Sequence, residues 1–226
     1  TATDGKWMVR FAPVQAGGPY KMIISGNNTV ELSNILVGEV WVCSGQSNMQ
    51  FALSRAINST EAIATATDSN IRLYTVPHIT SYTPVDNIQA SWQVCSPETV
   101  PSFSAVGYFF GRDLRKALNV PVGLINTSWG GTFAETWTSL EGFKALPEYS
   151  SWIADEYAAK VNDGPKHPSV LYNAMVNPLV PYAIKGAIWY QGEANANKAY
   201  KYRTLFPTMI KSWRDAWGEG NFPFLF

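Results

Sequence analysis

Three short polar clusters, each directly after an apolar run, hold the residue types that acyl-transfer chemistry uses. The first is Ser44-Gly45-Gln46-Ser47-Asn48-Met49. A serine that follows a buried strand and opens a helix has its hydroxyl among free backbone N–H groups, which favour developing negative charge. Ser47 is therefore a candidate nucleophile, although an N-cap role accounts for it equally well. The cluster differs from the nucleophile elbow of α/β-hydrolases, because Met49 stands where the second glycine belongs.

The second cluster is Thr127-Ser128-Trp129-Gly130-Gly131-Thr132. Without a Cβ, Gly130 and Gly131 can bring backbone N–H groups close to a ligand as oxyanion donors, or can simply make a tight turn. The third, Gln191-Gly192-Glu193-Ala194-Asn195, places two amides and a carboxylate in five residues. Gln191 or Asn195 can donate a side-chain N–H to an oxyanion, and Glu193 can orient a histidine or bind sugar hydroxyls; a solvated turn is the plainer reading.

Histidine is scarce. With only His78 and His167 in 226 residues, a metal site that needs several imidazoles is nearly excluded. His78 follows Pro77 in a loop and reads as structural, whereas His167 lies in an exposed-looking segment, residues 162–168, from which it can approach a crevice. Lys and Arg (17) balance Asp and Glu (17), which argues against nucleic acid as the main partner, and no apolar run has the length of a membrane span. Cys43 and Cys95 are too few for a disulfide scaffold and leave one bridge open. The aromatic load of 14% suits a core or, on exposed rings, sugar faces.

The elements that must position these clusters change character near Val37. Residues 1–37 show short strands around Trp7, Val9 and Phe11, at residues 21–25 and at residues 29–32. Gly17-Gly18-Pro19 and Gly26-Asn27-Asn28 mark the turns. Too few strands for a closed sandwich make this a partial β region. From residue 38 onward, strands at 39–43, 71–76, 122–126, 186–190 and 222–226 alternate with helices. The helices are expected from Gln46 towards Arg55 and at 102–118, 149–161 and 198–217, the last interrupted at Pro207. Such alternation predicts a parallel sheet with helices on both faces, and in open sheets of this kind the chemistry gathers at the carboxyl ends of the strands. All three clusters occupy such ends and are expected to open onto one crevice.

The sequence resembles the sialate O-acetylesterase and carbohydrate acetylesterase branch of the SGNH hydrolases over nearly its whole length. The likeness is carried by Gly38-Glu39-Val40-Trp41-Val42-Cys43-Ser44-Gly45-Gln46-Ser47-Asn48-Met49, by Asn126-Thr127-Ser128-Trp129-Gly130-Gly131-Thr132, by His167-Pro168-Ser169-Val170-Leu171-Tyr172-Asn173-Ala174-Met175 and by Trp189-Tyr190-Gln191-Gly192-Glu193-Ala194-Asn195. It implies a flavodoxin-like three-layer α/β/α hydrolase with a parallel sheet, in which Ser47 takes an acetyl group from a sugar hydroxyl without metal or cofactor. It also implies an oxyanion hole from the Ser47 N–H, an N–H of the Gly130-Gly131 pair and an amide of Gln191 or Asn195, with Glu193 the acid of the triad in some relatives. Trp129, Trp137 and Tyr190 would shape specificity for sialic acid or another acetylated glycan. Export, to a periplasm or beyond the cell, is implied by the resemblance alone.

One part of the family pattern has no match. The histidine of the family comes in an Asp-x-x-His motif downstream of the strand that residues 222–226 begin, and these residues stop short of it. This leads us to expect a C-terminally incomplete hydrolase domain over residues 38–226. Asp163 and His167 are a poor substitute for the motif. A glycan-binding module that has lost its base is the rival expectation, and a glycosidase a more distant one.

Overall fold

The computed structural model describes residues 5, 7–161 and 164–226, and the chain divides into two compact units, Thr1–Gly38 and Glu39–Phe226. In the first unit, strand β1 (Gly17–Ser25) pairs antiparallel with β2 (Thr29–Val37) through the expected turn, where the Gly26 N–H donates to the Asn28 carbonyl at 2.8 Å. Gly17-Gly18-Pro19 does not form a turn but opens β1, with irregular register between Gly17 and Met22. Proline has no N–H to give the ladder there. The alternation of Trp7, Val9 and Phe11 does not become a strand: residues 7–16 have no partner ladder, and all three side chains are exposed.

The second unit is built on a sheet whose order among the described residues is β5-β4-β6-β3-β7-β8. Its strands are β3 (Glu39–Gly45), β4 (Asp68–Thr75), β5 (Gln93–Cys95), β6 (Val122–Ser128), β7 (Gly186–Tyr190) and β8 (Phe224–Leu225). All neighbours are parallel except the edge strand β5, which runs antiparallel to β4. At three residues, β5 is too short for its periodicity to be visible in the sequence.

Alternating side chains of each strand enter different cores. Trp41, Cys43, Leu73, Leu124 and Ile188 pack with Phe103 and Tyr108 on one face; Val42, Ile125, Ala187 and Trp189 pack with Trp137, Leu205 and Trp213 on the other. The chain after β3, through α1 (Ser47–Gln50) and α2 (Ser59–Ala64), and the helix α3 (Ala105–Leu118) before β6 belong to the first face. The chain after β6, through α4 (Ala134–Trp137), α5 (Leu140–Phe143) and α6 (Ser150–Ala159), and the helix α7 (Ala199–Trp217) belong to the second. Connections thus leave the neighbouring strands β3 and β6 toward opposite faces, which is the topological switch point where open sheets bind ligands.

Local chemistry explains most boundaries. The Ser104 hydroxyl accepts the Gly107 N–H at 3.0 Å to start α3, and Asn119 ends it in the left-handed region. The expected helix to Arg55 stops after one turn at Gln50. There the N–H groups of Leu53 and Ser54 turn to the carbonyls of Phe103 and Pro101 instead, each at 2.9 Å. Pro207 does not interrupt α7, whose buried face of Leu205, Phe206, Met209, Trp213 and Trp217 holds the helix together across the missing hydrogen bond. After the segment of residues 164–168 the chain forms a π-helical turn, Tyr172–Val176. Cys43 and Cys95 are both free and buried, so no bridge joins them. Among the described residues no helix is long and apolar enough to cross a membrane.

Candidate active site

Gly45 ends β3 squeezed between the ends of β6 and β7, opposite Ser128 and Tyr190. Its φ is +138°, and a Cβ there would lie 2.1 Å from the Tyr190 carbonyl oxygen, so only glycine fits. Two backbone bonds fix the turn that follows: the Gln46 N–H donates to the Tyr190 carbonyl (2.9 Å) and the Trp129 N–H to the Gly45 carbonyl (3.0 Å). Ser47 is thereby held at the first position of α1, at the switch point. Because α1 is a single turn, the positive field at Ser47 comes from the backbone N–H groups of that turn rather than from a long helix dipole.

The residues around Ser47 tie the other two clusters to it. The Gln46 carboxamide oxygen accepts the Ala194 N–H (3.1 Å) and more weakly that of Gly192 (3.5 Å), and the Asn48 amide donates to the Glu193 carboxylate. On the opposite side, the Gly130 N–H donates to Gln50 Oε1 at 2.7 Å, and a Cβ on Gly130 would lie 3.4 Å from that of Ser47. Met49, where an elbow would have glycine, is buried against Ser104 of the α3 cap. The three clusters predicted to converge do converge. Gly131, at φ +75°, has open space around it and shapes the turn.

The third cluster is organised by a chain of hydrogen bonds that runs from part-buried Tyr202 and Gln191 to buried Asn195 and Glu135. The Tyr202 hydroxyl donates to Gln191 Oε1 (3.1 Å), and Gln191 Nε2 donates to Asn195 Oδ1 (2.7 Å) and to the Thr132 carbonyl (3.1 Å). Asn195 Oδ1 also accepts the Ala134 N–H (3.0 Å), and Asn195 Nδ2 donates to Glu135 Oε2 (2.7 Å). Burial pushes the Tyr202 phenol above its usual range, keeping it protonated as the donor. Asn195 is 2% exposed and Glu135 3%. In this conformation both hydrogens of Gln191 Nε2 are engaged, and the Asn195 amide faces Glu135. Glu193 is exposed and bonded to Asn48.

The two histidines exchange the places expected from sequence. His78, at the carboxyl end of β4, lines a 610 Å³ cavity together with Ser47, Gln50, Arg55, Asn126 and Ser128. Its ring stacks on Trp129 with centroids 4.2 Å apart, and Nε2 lies 3.0 Å from the Ser128 carbonyl. A carbonyl accepts only a donor, so Nε2 carries a proton that it donates to Ser128. His167 instead bonds Glu156 of α6 beside Tyr82; Asp163 lies outside the described residues. His78, Gln50 and Arg55 were missed as site residues, although the strand-end position of His78 is the signal that marks such sites. Trp137 is core, Trp129 is half-buried and Tyr190 is 46% exposed. Among the described residues no cluster of three or more His, Cys, Asp or Glu could hold a metal ion.

A mostly parallel sheet with helices on both faces, carrying a serine loop at its switch point, defines an SGNH-like α/β protein. The chain belongs to the carbohydrate esterase family of sialic acid-specific acetylesterases, whose family model matches residues 37–226. It is 35% identical over 237 residues to the sialate O-acetylesterase of Homo sapiens, covering 97% of this chain and 44% of that protein. To the sialate O-acetylesterase of Mus musculus it is 32% identical over 253 residues, covering 95% and 47%. Among solved structures, a carbohydrate acetylesterase from Xanthomonas citri superposes with a TM-score of 0.86 at 36% identity, covering 98% of this chain and 48% of that one. The chain spans less than half the length of the curated relatives it matches.

Proposed function

We propose that the chain acts as a serine esterase that removes O-acetyl groups from carbohydrate, sialic acid or another acetylated glycan, through an acyl-enzyme on Ser47. The observation that carries this reading is the placement of Ser47 at the head of α1 beside the Gly130 N–H, with the three family motifs meeting around it. Ser47 Oγ attacks the acetyl carbonyl, and the oxyanion forms between the Ser47 and Gly130 N–H groups. The bond from acetyl to sugar oxygen breaks, and the sugar leaves as the alcohol with the serine's proton. Water then releases acetate from Ser47.

Gln50 Oε1 occupies the Gly130 N–H in the free protein and gives way to the substrate oxygen. Gln191 and Asn195 serve the hole through the loop they brace, while Glu193 holds the third cluster against Asn48. A serine at its free pKa is a weak nucleophile and needs a base. The resemblance places that base in an Asp-x-x-His motif with no match in these residues; within them, His78 is the imidazole that shares the Ser47 cavity.

The test is labelling of the intact chain with a fluorophosphonate, read by mass and peptide mapping, beside acetate release from acetylated sugars. An adduct on Ser47 that Ser47→Ala abolishes, with parallel loss of acetate release, supports the esterase. Glycan binding without adduct or acetate in the full protein would favour a carbohydrate-binding role.

A further inference from the structure

The residues that line the cavity of Ser47 include Gln50, Phe51, Arg55 and His78. Arg55 is the one permanently charged side chain among them. Its guanidinium lies over the Phe51 ring at 5.0 Å, so an aromatic face steadies it. Among the described residues no carboxylate pairs with it. A stacked guanidinium without an acidic partner, on the wall of a cavity large enough for a sugar, presents its donors as a fork to an incoming anion. Planar carboxylates match that fork with two parallel hydrogen bonds.

We infer that Arg55 is a specificity-determining residue that binds the carboxylate of a sugar acid, so that Ser47 meets acetyl esters of acidic rather than neutral sugars. The inference rests on the esterase reading of Ser47 and adds to it the residue that reads the acid. The rest of the lining carries no carboxylate to repel one, and Glu193, within the third of the converging loops, is bonded to Asn48 instead.

A matched pair isolates the charge: O-acetylated sialic acid and the same sugar as its methyl ester. Loss of a charge-assisted fork corresponds to about 10- to 100-fold in kcat/KM. The ratio of kcat/KM for the acid over its methyl ester is expected to be of that size in the wild-type chain and to fall near one in Arg55→Gln. Because each protein supplies both rates, partial unfolding of the variant cancels from the ratio. A wild-type ratio near one, or a ratio that Arg55→Gln leaves unchanged, overturns the assignment.

Equilibrium binding of free sialic acid and its methyl ester, measured by calorimetry on both proteins, separates this inference from the reading it rests on. Preference for the acid that disappears in Arg55→Gln, in a chain that releases no acetate, upholds the carboxylate site while the esterase falls. Equal binding of both sugars removes Arg55 whatever the turnover.

Discussion

Gln50 Oε1 accepts the Gly130 N–H at 2.7 Å, one turn of helix from Ser47, so a carbonyl-type oxygen already sits on the backbone donor proposed to receive the oxyanion. In the free protein this bond holds the Gly130 peptide in orientation, and a substrate carbonyl has to displace it.

Gln50→Ala should therefore raise acetyl release, by up to about tenfold, since a neutral hydrogen bond in competition with substrate contributes about 1 kcal/mol. Gln50→Glu should lower it about 10- to 100-fold, because a carboxylate binds the N–H more tightly and repels the developing anion. Steady-state kinetics on one acetylated sugar checks both. A fall in Gln50→Ala would instead make Gln50 a support for Gly130.

Gly45 and Gly131 both have positive φ, but only Gly45 is closely approached by backbone, that of Tyr190. Gly45→Ala is expected to destabilise the chain by about 3 kcal/mol or more through that clash, whereas Gly131→Ala meets open space and loses only about 1–2 kcal/mol of left-handed strain. Urea unfolding of the two variants measures the difference, and equal losses would mean that the β3–β7 end can shift.

Asn195→Ala would strip acceptors from the Ala134 N–H and Gln191, and a donor from the buried Glu135 carboxylate. A loss of about 2–4 kcal/mol in unfolding free energy is expected, together with reduced turnover. Glu193→Gln changes an exposed side chain and should stay within about 0.5 kcal/mol of wild type. If Asn195→Ala kept wild-type stability while losing turnover, Asn195 would return to the oxyanion hole itself.

Burial pushes the Cys95 thiol up to about 11 from 9.0, and the Cys43 thiol higher still. Between pH 9 and 11 the unfolded chain releases protons that the folded chain retains, so this contribution to stability is complete below pH 9 and is lost as pH rises toward 11. Urea midpoints measured across that range should fall, and Cys95→Ala should flatten the slope. The same burial predicts that neither thiol reacts with a disulfide reagent at neutral pH until the protein unfolds.

Much of this protein is legible along the chain. The apolar runs at β3, β6 and β7 identify the sheet because buried parallel strands are continuous in hydrophobicity, and the Ser104 and Asn119 caps mark α3 because capping is local chemistry. The three polar clusters could be assigned to one crevice because every parallel strand delivers its following loop to the same end of the sheet. Where local patterning failed, long-range partners decided. Trp7, Val9 and Phe11 have strand alternation but no ladder, α1 ends early because the loop before α3 supplies acceptors about 50 residues away, and Pro207 is carried by the buried face of α7. The chemistry divides the same way. Residue type and spacing determined Ser47 and Gly130 as candidates. Only the tertiary structure brings His78 and Arg55 into the Ser47 cavity, sends His167 to Glu156 and turns Asn195 toward Glu135, because a side chain's partner is set by distance in space, which the order of residues does not contain.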